Sequence, residues 1–183
     1  MKRQKMKVAY LCAICMMLCA SCNQEETVPI PEKLTEKSFD WGFFNGTIGE
    51  KNYSLENTKD VQFVKSTRKA ITIDFHTQWF LNTIIEYTPN SSLVVELHQL
   101  EVGTYYITLG YPFDEHTSCL EVVNEINKCT YWPKPEKPIK VEITNLDWDG
   151  PDHPILKANI DGVVYNTKDS KDSITIRGSY GAR

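Results

Sequence analysis

From about residue 70 to the C-terminus, apolar side chains recur at every second position. In "AITIDFH", Ile71, Ile73 and Phe75 fall on one face and Thr72, Asp74 and His76 on the other, the period of a strand with one side buried. "SLVVELHQL" repeats it with Leu93, Val95 and Leu97, "IKVEITNL" with Ile139, Val141 and Ile143, and "DSITIRGSYGAR" with Ile174 and Ile176. "TYYITLG" adds a short run, and in "TQWFLNTIIEY" adjacent side chains point to opposite faces, which sends one of Trp79 and Phe80 to the core. Turn formers separate these runs: "TPNSS" at 88–92, "KPEKP" at 134–138 and "DWDGPD" at 147–152. Many short strands divided by such turns predict a mainly β domain, a single antiparallel β-sandwich or open barrel.

One segment departs from the period of two. In "CLEVVNEINKC", Leu120, Val123 and Ile126, or Val122 and Ile126, have helical spacing, which predicts a short helix near 119–129. Two other segments resemble each other. "GTIGEKNYSLENTKD" and "NIDGVVYNTKD" each place Ile five residues before Tyr (Ile48 to Tyr53, Ile160 to Tyr165), carry glycine between, and reach "NTKD". Each is expected to form a hairpin with glycine at its turn, and the two to be strands of one sheet.

The N-terminus follows different rules. Lys2, Arg3, Lys5 and Lys7 precede an apolar run from Val8 to Ala20, the charged and apolar regions of a secretory signal peptide. Thirteen residues fall short of the ~20 that span a bilayer as a helix. Cys12, Cys15, Cys19 and Cys22 mimic paired C-x-x-C metal motifs, but only Met16, Met17 and Leu18 separate the pairs, far fewer than a tetrahedral zinc site needs. "LCASC", ending at Cys22, resembles the lipobox of bacterial lipoproteins, in which small residues precede a cysteine that is acylated and becomes the new N-terminus. Ala20 and Ser21 match it; Cys19 stands where Leu is usual, with Leu18 one step back. The resemblance implies a signal peptide over 1–21, lipidation of Cys22, and a lipid bilayer as partner through its acyl chains. The polar, proline-bearing stretch that follows completes a flexible tether over 22–38, leaving 39–183 as a single β-sandwich domain.

Removing residues 1–21 from 183 leaves 162 residues with 16 basic and 24 acidic side chains, a net charge near −8. That length suits one domain with a proper core. The negative balance argues against nucleic acid, which needs clustered Lys and Arg, and against docking on anionic lipid through a basic patch. Cys119 and Cys129 are the other cysteines of the mature chain; in an oxidising compartment they are expected to form a disulfide.

Acidic residues in "NQEE" behind Cys22 resemble the export signal of Bacteroidetes-type surface lipoproteins. Together with the "N-G-x-I-x-G-x-x-Y" opening at Asn45 and the "I-D-G-x-x-Y" segment at Ile160, they resemble the small β-sandwich outer-membrane lipoproteins of that group. The resemblance implies a cell-surface location and brings no catalytic residues; glycan binding and adhesion are the roles it implies.

Candidate chemistry is sparse. No G-x-S-x-G, P-loop or G-x-G-x-x-G occurs, so no enzyme motif is present and no cofactor is expected. Asp147, Asp149 and Asp152 surround a glycine turn in the manner of the start of a calcium loop, but the glutamate due at the twelfth position is Ala158; an acidic β-turn accounts for the same residues. The histidines are scattered singly. Trp132 and Trp148 are the better lead, because aromatic faces stack on sugar rings, and their polar neighbours place them toward solvent. "DSI" at 172–174 resembles the O-glycosylation acceptor of exported proteins in the same bacterial group, which would modify Ser173. The expected function is non-catalytic binding or adhesion, with glycan as a ligand class. The alternatives are an accessory glycan-processing enzyme and a structural subunit bound to an envelope protein.

Overall fold

The alternation becomes eleven strands among the residues described by the computed structural model, which are 41–73, 75–110, 117–151 and 153–183. The signal segment, Cys22, the tether and Asp152 lie outside them. In chain order the strands are β1 (Gly42–Ile48), β2 (Lys51–Glu56), β3 (Val64–Ile73), β4 (His76–Thr88), β5 (Ser91–Leu97), β6 (Gly103–Ile107), β7 (Cys119–Asn124), β8 (Cys129–Trp132), β9 (Ile139–Trp148), β10 (Pro154–Asn166) and β11 (Ser173–Ala182). Phe39–Arg183 group as one compact unit.

All named strands pair antiparallel in one sheet, in the order β2-β1-β11-β10-β8-β7-β5-β4-β3, with β9 and β6 branching from β10. The branch arises because β10 is long enough to hold two neighbours on one edge. Its first half, Pro154–Asp161, pairs with β9, and its end, Tyr165 and Asn166, pairs with Trp132 and Tyr131 of β8. Between these partners lies Gly162, whose absent side chain admits Ile139: a β-carbon there would stand 3.1 Å from the Ile139 Cα. The sheet curls into a half-barrel, and β3 packs across β1, β10 and β11. This is the expected mainly β architecture in its open-barrel form.

The curl encloses the apolar face. Phe44, Leu81, Leu93, Ile139, Leu156 and Tyr180 are each 0 % exposed. Burying each such side chain contributes roughly 1.5–3 kcal/mol relative to leaving it in water.

Three local expectations are corrected. Residues 119–129 form no helix; they are β7, a turn, and the start of β8, with Val122 opposite Tyr131 and Asn124 opposite Cys129. The Asn124 side chain accepts the Asn127 N–H and closes the turn, leaving Ile126 71 % exposed. That register also separates the cysteines. Cys129 lies opposite Asn124, five residues along β7 from Cys119, roughly 17 Å at about 3.4 Å per residue, whereas a disulfide needs Cα atoms within about 7 Å. Both thiols are free: Cys119 donates to Glu96 Oε2 (3.5 Å) and Cys129 to the Asn127 carbonyl (3.4 Å). Finally, the face of β3 that carries Ile71 is not its core face, which carries Val64 and Ser66 instead, and Phe75 does not continue the strand. Ile73 pairs with His76, so Phe75 stands in a two-residue turn, with φ of 66° and full exposure.

Of the two resembling segments, the first is the β1–β2 hairpin, but the second runs straight through Gly162 as part of β10. Both flank β11 in the sheet. Their "NTKD" tetrapeptides serve the same physical purpose. Each Asn leaves a strand end with its side chain buried and bonded: Asn57 to Phe63 N, Val64 N and Val64 O, and Asn166 to Lys168 N and Asp172 Oδ2.

Candidate ligand-binding site

The inner face of the β3–β4 hairpin changes character along its length. Val64 and Ile85 pair within the core, and the next inward pair is Ser66 and Thr83, whose buried hydroxyls lie 3.0 Å apart. Two residues further along β3 on the same face comes Arg68, and two beyond Leu81 on the same face of β4 comes Trp79. A full charge on the core side of a strand needs compensation. Here it comes from aromatic faces and a carbonyl.

The Arg68 guanidinium lies over the Trp79 ring, 4.0 Å from its centroid, and over the Trp148 ring at 5.1 Å. Trp148 ends β9, on the other wing of the sheet, and packs against the core. One Arg68 Nη1 N–H donates to the Pro151 carbonyl (3.1 Å) in the β9–β10 loop, while Nε is buried without a hydrogen-bond partner among the described residues. Each cation–π contact contributes roughly 0.5–2 kcal/mol, more where water is excluded. None of the three ion pairs among the described residues includes Arg68. Trp79 remains 40 % exposed, so the cluster presents a fixed indole beside a positive charge.

The acidic turn forms the facing lip. Asp149 is neutralised by Arg183, whose Nη2 and Nε donate to its Oδ2 at 2.6 and 3.2 Å. The Asp149 N–H donates to the His153 carbonyl, and Asp147 Oδ1 accepts the N–H of Trp148. Among the described residues no three His, Cys, Asp or Glu side chains converge as a metal-binding group; Asp152, the third carboxylate of the calcium pattern, lies outside those residues.

Trp132 and Trp148 are not brought together. Trp132 follows the buried Tyr131 and therefore points to the outer face of β8, opposite Tyr165. It is half-buried because the backbone at Gly110 passes so close that any β-carbon there would overlap the indole. Its indole lies beside the Glu121 carboxyl. On the same outer face Asn82, Glu96 and Cys119 form a row across β4, β5 and β7, with Asn82 Nδ2 donating to Glu96 Oε1 at 2.6 Å. Burial, then the nearby Glu96 carboxylate, pushes the Cys119 thiol up to about 12, which leaves it protonated and unreactive. Burial also raises the Glu121 carboxyl, the neighbouring Trp132 indole N–H opposes that rise, and the charge of Glu96 adds to it.

Ser173 opens β11 and is exposed. The adjacent Asp172 is engaged, accepting from Tyr131 Oη and Asn166 Nδ2, each at 2.8 Å.

Of the expected ligand-binding residues, the site holds Trp148; Arg68 and Trp79 are additions. Arg68 was detectable in principle, as a charge on the parity of β3 that carries Val64 inward. That signal exists only once the inward parity is known.

No curated protein and no solved structure matches the chain. A family model does, over residues 41–183, and the chain belongs to that family, the domain of unknown function DUF5025.

Proposed function

We propose that this chain is a surface-facing outer-membrane lipoprotein, acylated at Cys22, whose β domain binds glycan without catalysis. The observation that carries the binding reading is the Trp79–Arg68–Trp148 cluster. A pyranose ring has an apolar C–H face rimmed by hydroxyls, and a fixed indole beside hydrogen-bond donors complements both parts. Arg68 holds Trp79 in place without burying it, which lowers the ordering cost that a free side chain would add on binding.

The test is retention of the full chain on a glycan array. Trp79→Ala is expected to abolish retention while the domain stays folded, with a loss of stability limited to the roughly 0.5–2 kcal/mol of its contact with Arg68. Trp132→Ala is expected to leave retention intact. Absence of retention in the wild type, or full retention in Trp79→Ala, rejects glycan binding at this site. For the anchor, Cys22→Ala is expected to move the protein from the membrane to the soluble fraction, and continued membrane association rejects acylation as the attachment.

A further inference from the structure

We infer that the group recognised by Arg68 is anionic, the carboxylate of a uronic-acid unit in an acidic polysaccharide. This inference rests on the glycan-binding reading and narrows its ligand class.

Three observations carry it. First, Arg68 has no carboxylate partner among the described residues: its contacts there are two indole faces and the Pro151 carbonyl. Half-buried charges are normally paired. Second, of the two described carboxylates in the facing turn, Asp149 is paired with Arg183 at 2.6 Å and Asp147 turns its Oδ1 to the Trp148 N–H. Arg68 is therefore a positive charge that no carboxylate among the described residues pairs, and a Debye length of about 8 Å at physiological salt screens it from more distant negative charge. Third, the donors fit. Nε is shielded and one Nη1 N–H is given to Pro151. Nη2 and the second Nη1 N–H remain as charged donors for a carboxylate. The flanking indoles orient those donors before a ligand arrives.

The experiment is affinity electrophoresis of the detergent-solubilised full chain in gels containing polygalacturonate, alginate or hyaluronan. Methyl-esterified polygalacturonate, which keeps the backbone and removes the charge, and dextran serve as neutral comparators. The expected result is retardation by at least one acidic polymer and at least tenfold weaker retardation by its neutral comparator. Arg68→Gln should lose a similar factor, and Arg68→Lys, which keeps charge but not the fork, should fall between. Raising NaCl from 50 to 500 mM should weaken the acidic interaction only. Equal retardation by the neutral polymers overturns this inference and leaves the glycan-binding reading standing. Unchanged retardation of Arg68→Gln by the acidic polymer also overturns it, and retardation by none of the polymers overturns both. The methyl-ester comparison needs no substitution, so the inference stays testable even if Arg68→Gln does not fold.

Discussion

Two tyrosines make opposite predictions for the same chemical change. Tyr180 is 0 % exposed on β11, and its hydroxyl has no hydrogen-bond partner among the described residues. Tyr131 is 9 % exposed on β8, and its hydroxyl donates to Asp172 Oδ2 at 2.8 Å. Replacing either with Phe keeps the ring and removes one oxygen. At Tyr180 that deletes an unsatisfied buried group, which costs about 1–3 kcal/mol in the folded state. The void left by one oxygen, on the order of 10 Å³, returns only about 0.2 kcal/mol of that at 24 cal/mol per Å³. Tyr180→Phe is therefore expected to stabilise by about 1–2 kcal/mol, a rise of roughly 3–6 °C for a domain of this size. At Tyr131 the loss is a charge-assisted bond, reduced because solvent screens the exposed Asp172, and Tyr131→Phe should destabilise by about 1–1.5 kcal/mol.

The assay is urea unfolding at pH 7 with matched m-values, so that a shift in midpoint reports stability alone. A fall in midpoint for Tyr180→Phe would refute the reasoning, because it would mean that the hydroxyl is satisfied within the core. Alkaline titration adds a second check. Burial raises the Tyr131 phenol to about 12, and the Asp172 hydrogen bond and charge add to the rise. A raised phenol favours the neutral folded form, so its contribution is complete below the ordinary value of 10 and is lost as the pH climbs toward 12. Tyr131→Phe should flatten that part of the stability curve.

Gly162→Ala tests the branch: its new β-carbon would overlap Ile139 Cδ1 and approach the Ile139 Cα at 3.1 Å, and the crowding should cost about 1–3 kcal/mol. An unchanged urea midpoint would show that β9 and β8 can shift apart freely. For the cysteines, thiol titration of the 39–183 domain without reductant should find one reactive group when folded, the half-exposed Cys129, and two after unfolding, since Cys119 is buried beside Glu96. No thiol in either state would mean that the cysteines are oxidised after all.

The errors of expectation share a cause. Cys119 and Cys129 are ten positions apart, a spacing compatible with a bridge in an irregular loop but not across this hairpin, where register sets the distance. The helical pattern of Leu120, Val123 and Ile126 was a coincidence of spacing: Val122 turns inward to the core, while Ile126 sits in a turn closed by Asn124. Phe75 looked like a continuation of β3 because its turn lacks the Asn-Gly or Asp-Gly signal that marks most two-residue hairpins.

By itself the sequence determined the mainly β class and the positions of most later strands, because pleating forces alternation on any strand with one face buried. It also located the "DWDGPD" turn and Trp148. Only the tertiary structure decided which strands are neighbours. The branch at β10, the separation of Trp132 from Trp148, and the meeting of Arg68 with Pro151 across 83 residues depend on long-range register. Register follows from how whole faces pack, so no local pattern contains it.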